Sequence, residues 1–186
     1  MTLLVLFVVV MLFIFLIIFN LFHWFGIYAF FKGSPYVPTS TKWCHKILKE
    51  ARLKKGRLLI ELGSGDGRFL REARQLYGVS CVGLEINPLL IFYAKILTKL
   101  QNITNISYIR TDFFSYNLSS ADYVYLYLLP NTIKKLKDKL LDECKPGTII
   151  ISHRFKVALP NNMLIKIVEV NGSKTYYYKL KFKAKT

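Results

Sequence analysis

Cysteine is scarce in this chain, and the three present, Cys44, Cys81 and Cys144, show no paired spacing. Neither a disulfide framework nor a zinc or other metal cluster is indicated, and idle thiols suit a reducing compartment. Acids are scarce too, with 11 Asp and Glu against 27 Lys and Arg, which leaves a formal charge of +16. Met1 to Phe31 hold no charge of either sign, so the whole excess sits on the other 155 of the 186 residues. Internal repeats and low-complexity tracts are absent, and 53% of the residues are hydrophobic. A disordered tail and a fibrous chain are excluded, and about one domain must bury a core.

What is present at the uncharged end is an almost unbroken run of Leu, Val, Ile, Phe and Met from Leu3 to Phe31, interrupted by Asn20, His23, Gly26 and a few aromatics with polar tips. A helix of this length exceeds the roughly 20 residues that span a bilayer. Each central apolar residue favours insertion by a few tenths of a kcal/mol, which together outweigh one Asn. A signal peptide would show a basic start, a shorter apolar stretch and a small-residue cleavage site, and the segment has none of them. A wholly apolar core helix this long would be hard to cover with 155 further residues. Residues 1–31 are therefore expected to form one transmembrane helix, with the lipid bilayer as a partner. Lys32, Lys42, Lys46, Lys49, Arg52, Lys54 and Lys55 follow it and nothing basic precedes it, so the positive-inside rule predicts a single-pass chain with its body in the cytoplasm. His23, Trp24 and Tyr28 would then sit near the inner interface.

The body alternates. After a Pro-containing linker within residues 32–41, the pattern predicts helix Lys42–Leu53, strand Arg57–Leu62, helix Phe69–Tyr77, strand Val79–Leu84 and helix Leu89–Leu100. Strands Ile106–Ile109 and Tyr123–Leu128, helix Thr132–Glu143 and strand Thr148–Ser152 continue it. Such alternation means an α/β domain over 42–186, with a mostly parallel sheet and helices on both faces. Leu164–Val170 and Thr175–Phe182, separated by Asn171-Gly172, predict a closing antiparallel hairpin.

Glu61-Leu62-Gly63-Ser64-Gly65-Asp66-Gly67 falls where the first strand hands over to a helix. Glycines there let the backbone turn sharply and approach a ligand, and the helix offers free N–H groups. A phosphate loop would need Gly-Lys-Ser/Thr, which Gly67-Arg68-Phe69 does not supply. A dinucleotide loop wants a third glycine where Arg68 stands. Acids on both sides of the glycines instead suit a ligand carrying positive charge, and S-adenosyl-L-methionine, with a sulfonium and an amino group, is one. Glu85, at the next strand tip, is placed to accept both hydrogen bonds of a ribose diol. Asp112, after the third strand, is placed to accept from an adenine amino group. Read singly, Asp112 is also a turn residue and Asp66 a helix-start charge.

These residues resemble class I S-adenosylmethionine-dependent methyltransferases over roughly Pro35 to Lys183. The apolar helix, Pro35-Tyr36-Val37-Pro38-Thr39, the glycine loop through Arg68, Glu85-Ile86-Asn87-Pro88 and Arg154-Phe155 are similar to one group within that class. That group is the membrane-anchored lysine methyltransferases of mitochondria, which modify the ATP synthase c-subunit and the adenine nucleotide translocase, with their prokaryotic relatives. The resemblance implies a Rossmann-like seven-stranded sheet with an antiparallel last strand, and a Tyr36-to-Thr39 segment that folds over the cofactor. It implies cofactor contacts from Tyr36, Thr39, Glu61, Gly63, Ser64, Gly65, Asp66, Gly67, Glu85, Ile86, Asn87, Asp112 and Phe113.

The fourth strand should carry its tip to the methyl group, which makes Tyr125, Tyr127 and Pro130 the catalytic candidates. Tyr123, Tyr125 and Tyr127 share one face by parity, and their rings can hold a cationic amine. His153 and Arg154 are further pocket candidates. The expected activity is methylation of a lysine in a membrane-associated protein. A lipid, small-molecule or RNA acceptor is the alternative, and a non-catalytic tethered binding module is a third. The basic body attracts phosphates of any kind. Leu128-Leu129-Pro130 nevertheless lacks the Asp/Asn-Pro-Pro-Tyr/Phe with which base amino methyltransferases hold an extruded base, so nucleic acid is not the expected partner.

Overall fold

Short, nearly continuous apolar runs set the parallel strands, and the computed structural model shows which faces their residues reach. It describes residues 2–32, 39–170 and 172–181, and the side chains of 3–20, 39–169 and 172–181. The chain divides into two compact units, Met1–Tyr36 and Val37–Thr186.

The first unit holds α1 (Thr2–Lys32), 31 residues long. At 1.5 Å per residue it is about 46 Å long, more than a bilayer's hydrocarbon thickness. Every large apolar side chain from Leu3 to Phe19 is at least 44% exposed. An all-round apolar helix has no polar side to turn to water. Asn20, its one amide in that stretch, satisfies a donor by bonding back from Nδ2 to the Leu16 carbonyl at 2.9 Å.

In the second unit α2 (Thr41–Ala51) precedes β1 (Leu58–Leu62), α3 (Arg68–Tyr77), β2 (Ser80–Glu85), α4 (Pro88–Leu100) and β3 (Ile106–Arg110). Next come β4 (Tyr123–Leu126), α5 (Pro130–Glu143), β5 (Ile149–His153), a 3₁₀ turn (Asn161–Met163), β6 (Leu164–Val170) and β7 (Ser173–Lys179). The expected elements are all found. β4 stops two residues early and α5 starts two residues early because Pro130 occupies the first helical position. A missing N–H costs nothing there, and the fixed φ suits the helix. The second hairpin strand runs over Ser173–Lys179 instead of Thr175–Phe182; Asn171 of the predicted turn lies outside the described residues, while Gly172 has φ +68°.

Strand order is β3-β2-β1-β4-β5-β7-β6, with β1 to β5 parallel and β7 antiparallel to both β5 and β6. The order reverses between β1 and β4, and in open α/β sheets the crevice beyond the carboxyl ends at such a reversal is where ligands bind. Leu59, Tyr123, Tyr125, Ile151 and Tyr177 face one core with α2, α3 and α4, whereas Ile60, Leu62, Val124, Leu126, Ile150 and Tyr178 face the other with α5. The neighbouring Tyr177 and Tyr178 pin both layers: the first hydroxyl donates to the Ile47 carbonyl of α2, and the second donates to the Val157 carbonyl. Among the described residues all buried core positions lie between Cys44 and Leu180, so the second unit carries its own core.

Candidate active site

Beyond Leu62 the backbone turns into the glycine loop, and Gly63 and Ser64 donate their N–H groups to the Leu84 carbonyl at 2.9 and 3.0 Å. The loop is thereby stitched to the tip of β2. Two glycines are demanded by close approach. A Cβ at Gly83 would stand 2.6 Å from Ser64 Oγ, and one at Gly67 would stand 2.2 Å from Tyr108 Oη, with φ at +72° besides. Tyr108, on β3, is held there by a 3.0 Å hydrogen bond with Thr98 of α4.

Glu85 closes the arrangement from the neighbouring strand. Its Oε2 accepts from Gly65 N at 2.9 Å, and its Oε1 accepts from Ile86 N and Asn87 N at the same distance. Three of about four carboxylate acceptor sites are used, and one is left for a ligand hydroxyl. Asn87 commits its side chain to capping α4, accepting from Leu89 N and Leu90 N. Asp112 stands two residues beyond Arg110, the register partner of Glu85. It is exposed and accepts from Phe114 N at 2.9 Å, a side-chain turn, while Phe113 packs half-buried against the second core. Glycine loop, Glu85 and Asp112 thus all follow the carboxyl ends of three adjacent strands.

Asp66 is buried and accepts from Arg68 N at 3.0 Å and from the Arg68 guanidinium at 3.2 Å. The same guanidinium donates to the Thr39 carbonyl at 3.2 Å, tying the segment ahead of α2 to the loop. Tyr36, expected in that segment, lies outside the described residues. Arg71, itself buried, donates to the Asp66 carbonyl from beneath. Sequence reading did not find Arg71 or Tyr108: an arginine on a helix reads as solvated, and a strand tyrosine as ordinary core.

Glu61 on β1 and Tyr125 on β4 are register partners facing the α3 side, where the Tyr125 ring stacks on Phe69 at 3.6 Å. Among the described residues, the buried Glu61 Oε2 and Ser64 Oγ have no hydrogen-bond partner, and the buried Tyr125 hydroxyl has the Thr39 side chain alone as its neighbour. Leaving such an atom unpaired costs about 1–3 kcal/mol, so the two at the end of β1 and the start of the glycine loop mark a place for a polar ligand. Burial pushes the Glu61 carboxyl well above its usual range; the charges of Asp66 and Glu85 add to this and Arg71 opposes it. Burial likewise keeps the Tyr125 hydroxyl protonated, with Glu61 adding to it. A cation relieves what a second carboxylate aggravates, so these residues fit the amino and sulfonium groups of S-adenosyl-L-methionine.

Of the remaining candidates, Tyr127 is half-buried beyond β4. Its hydroxyl accepts from Arg154 at 3.1 Å and its ring meets His153 edge-on at 4.9 Å. His153 is buried and bonded through Nδ1 to Thr175 Oγ1 at 2.8 Å, a structural placement. Pro130 is exposed at the start of α5.

Residues 61–161, just over half of the chain, match the model of the ANTKMT methyltransferase domain. A protein-lysine N-methyltransferase of Saccharolobus islandicus (strain REY15A) is 35% identical over 146 residues, 77% of this chain and 91% of that protein. The adenine nucleotide translocase lysine N-methyltransferase of Mus musculus is 29% identical over 77% of this chain, which spans 62% of that protein's length. The human lysine N-methyltransferase of the ATP synthase c-subunit is 29% identical over 65% of this chain, which spans 52% of its length. Among solved structures, that of an RNA methyltransferase from Salinibacter ruber in complex with S-adenosyl-L-homocysteine superposes with a TM-score of 0.75 at 30% identity, covering 80% of this chain and 97% of that one. A buried acidic loop that fits the donor and these matches agree: the chain belongs to the ANTKMT methyltransferase family and is an S-adenosyl-L-methionine-dependent methyltransferase.

Proposed function

We propose that this chain is a protein-lysine N-methyltransferase held on a membrane by α1, with the catalytic body in the cytoplasm. The observation that carries the acceptor is the 35% identity to a protein-lysine N-methyltransferase along 91% of that protein. The anchor is supported by the length and all-round exposure of α1, and the sidedness by the basic residues that follow it.

The bound donor supplies an electrophilic methyl group, and the chain aligns it and excludes water. Glu61 and Ser64 take the cationic amino end, Glu85 a ribose hydroxyl, and Asp112 with Phe113 the base. The acceptor must arrive as a neutral amine, because an ammonium has no lone pair. The buried hydroxyl of Tyr125 stays protonated and so is a hydrogen-bond partner, not a proton acceptor. His153 is committed to Thr175. Neither group takes the proton, and the charge of +16 on the chain disfavours an ammonium near it.

The test is labelled S-adenosyl-L-methionine, the full chain and its own cell membranes, followed by mass spectrometry. Methyl-lysine in a membrane-associated protein is expected, and label confined to lipid overturns the reading. RNA is the second reading, favoured by the Salinibacter ruber structure and by Lys134, Lys135, Lys137 and Lys139 on α5. Label that ribonuclease removes would establish it instead.

A further inference from the structure

Helix α4 is apolar on two opposite sides. Ile91, Ala94 and Thr98 are buried toward β2 and β3, as a sheet-covering helix requires. The far side should be polar, yet Leu89, Phe92, Tyr93, Ile96 and Leu100 are 39–73% exposed. At 100° per residue these five fall within an arc of roughly 100°, a continuous outer stripe. Lys95 and Lys99 border it, both exposed, and α4 has no acidic residue. Scattered exposed apolar residues need no explanation, but a contiguous stripe of this kind marks a binding surface.

We propose that the outer face of α4 lies in the interfacial layer of an anionic membrane leaflet. Leu89, Phe92, Ile96 and Leu100 enter the acyl boundary, Tyr93 keeps its hydroxyl at the headgroups, and Lys95 and Lys99 meet anionic phosphates. The choice of occupant rests on the membrane reading above, on the absence of any acid on the helix and on a chain charge of +16. α4 begins at Pro88, directly after the Glu85 tip of β2. Seating it on the bilayer holds the cofactor edge of the sheet at the membrane surface, where lysines close to the headgroups become the accessible acceptors.

The native thiols make the test selective: Cys44, Cys81 and Cys144 are buried and their pKa values are raised to about 12, so an introduced exposed cysteine alone is labelled. The full chain is placed in nanodiscs of phosphatidylcholine with phosphatidylglycerol, carrying an environment-sensitive fluorophore at Phe92→Cys or, on the α5 layer, at Lys137→Cys. Spin-labelled lipid should quench the label at 92 about fivefold more than at 137, and Leu89→Ser with Ile96→Ser should remove the difference. Equal quenching at both positions overturns the proposal and leaves the lysine reading standing, because no methyl transfer is measured. A chain that does not associate with the discs overturns both the anchor and this contact. A dimer in solution whose formation Ile96→Ser abolishes would assign the stripe to a second copy and overturn it as well.

Discussion

Glu61 is a carboxyl group whose charged form folding disfavours, and the bound cofactor would favour that form. Its pKa is raised in the folded chain, so its contribution to stability is complete below the ordinary carboxylate range and is lost as pH rises through the folded value. A cationic ligand reverses the preference, and its binding should expel a proton. Glu61→Gln is therefore expected to raise the melting temperature of the ligand-free chain near neutral pH and to weaken S-adenosyl-L-methionine binding by about tenfold or more. Calorimetry in buffers of different ionisation enthalpy measures both the affinity and the proton; equal affinity in the two proteins rejects the assignment. His153 runs the other way. Burial, then Arg154, lowers it from 6.5 to about 4, so its stabilising contribution is present above pH 6.5 and disappears as pH falls toward 4. The loss is up to about 3 kcal/mol. Denaturation of His153→Gln should be flatter over that window than the parent, and identical pH profiles would exclude the effect.

At the scale of elements, the glycine loop is fixed by what packs beneath it. Gly67→Ala combines a left-handed φ with a Cβ 2.2 Å from Tyr108 Oη, 2.5 Å from Cε1 and 2.6 Å from Cζ. A destabilisation of about 2 kcal/mol or more is expected in chemical denaturation. Tyr108→Phe should not rescue it, because two of the three clashing atoms belong to the ring; full rescue would show that the hydroxyl alone sets the cost. This contact also shows where sequence reading stops. Short apolar runs alternating with segments of 3.6-residue period made the strands and helices legible, and the acids at strand tips made the site legible, since both are properties of short segments. The partner of Gly67 lies 41 positions away on a strand whose neighbour is decided by sheet order. The insertion of β7 between β5 and β6, the guanidinium of Arg71 under Asp66 and the outer stripe of α4 are likewise products of packing. An arginine at a helical position carries no mark of burial, and a run such as Leu89-Leu90-Ile91-Phe92 reads the same with one covered face or two.

The whole molecule joins a helix uncharged through Phe31 to a basic domain with its own core. Because every buried core residue among those described lies between Cys44 and Leu180, removing α1 should leave the domain's stability and cofactor affinity unchanged. On the proposed anchoring, what α1 adds is concentration. A tethered enzyme meets acceptors in the same membrane at an effective concentration on the order of millimolar, whereas a free one meets them at its bulk concentration. A chain lacking residues 1–32, which retains Tyr36, is expected to match the full chain in melting temperature and in calorimetric S-adenosyl-L-methionine affinity. On membrane-resident lysines it should be slower by about a hundredfold at micromolar enzyme, and on a soluble lysine peptide equally fast. A truncated chain that melts earlier would show that α1 supports the fold. One that modifies membranes at the full rate would show that the basic domain, with the outer face of α4, suffices for membrane recruitment.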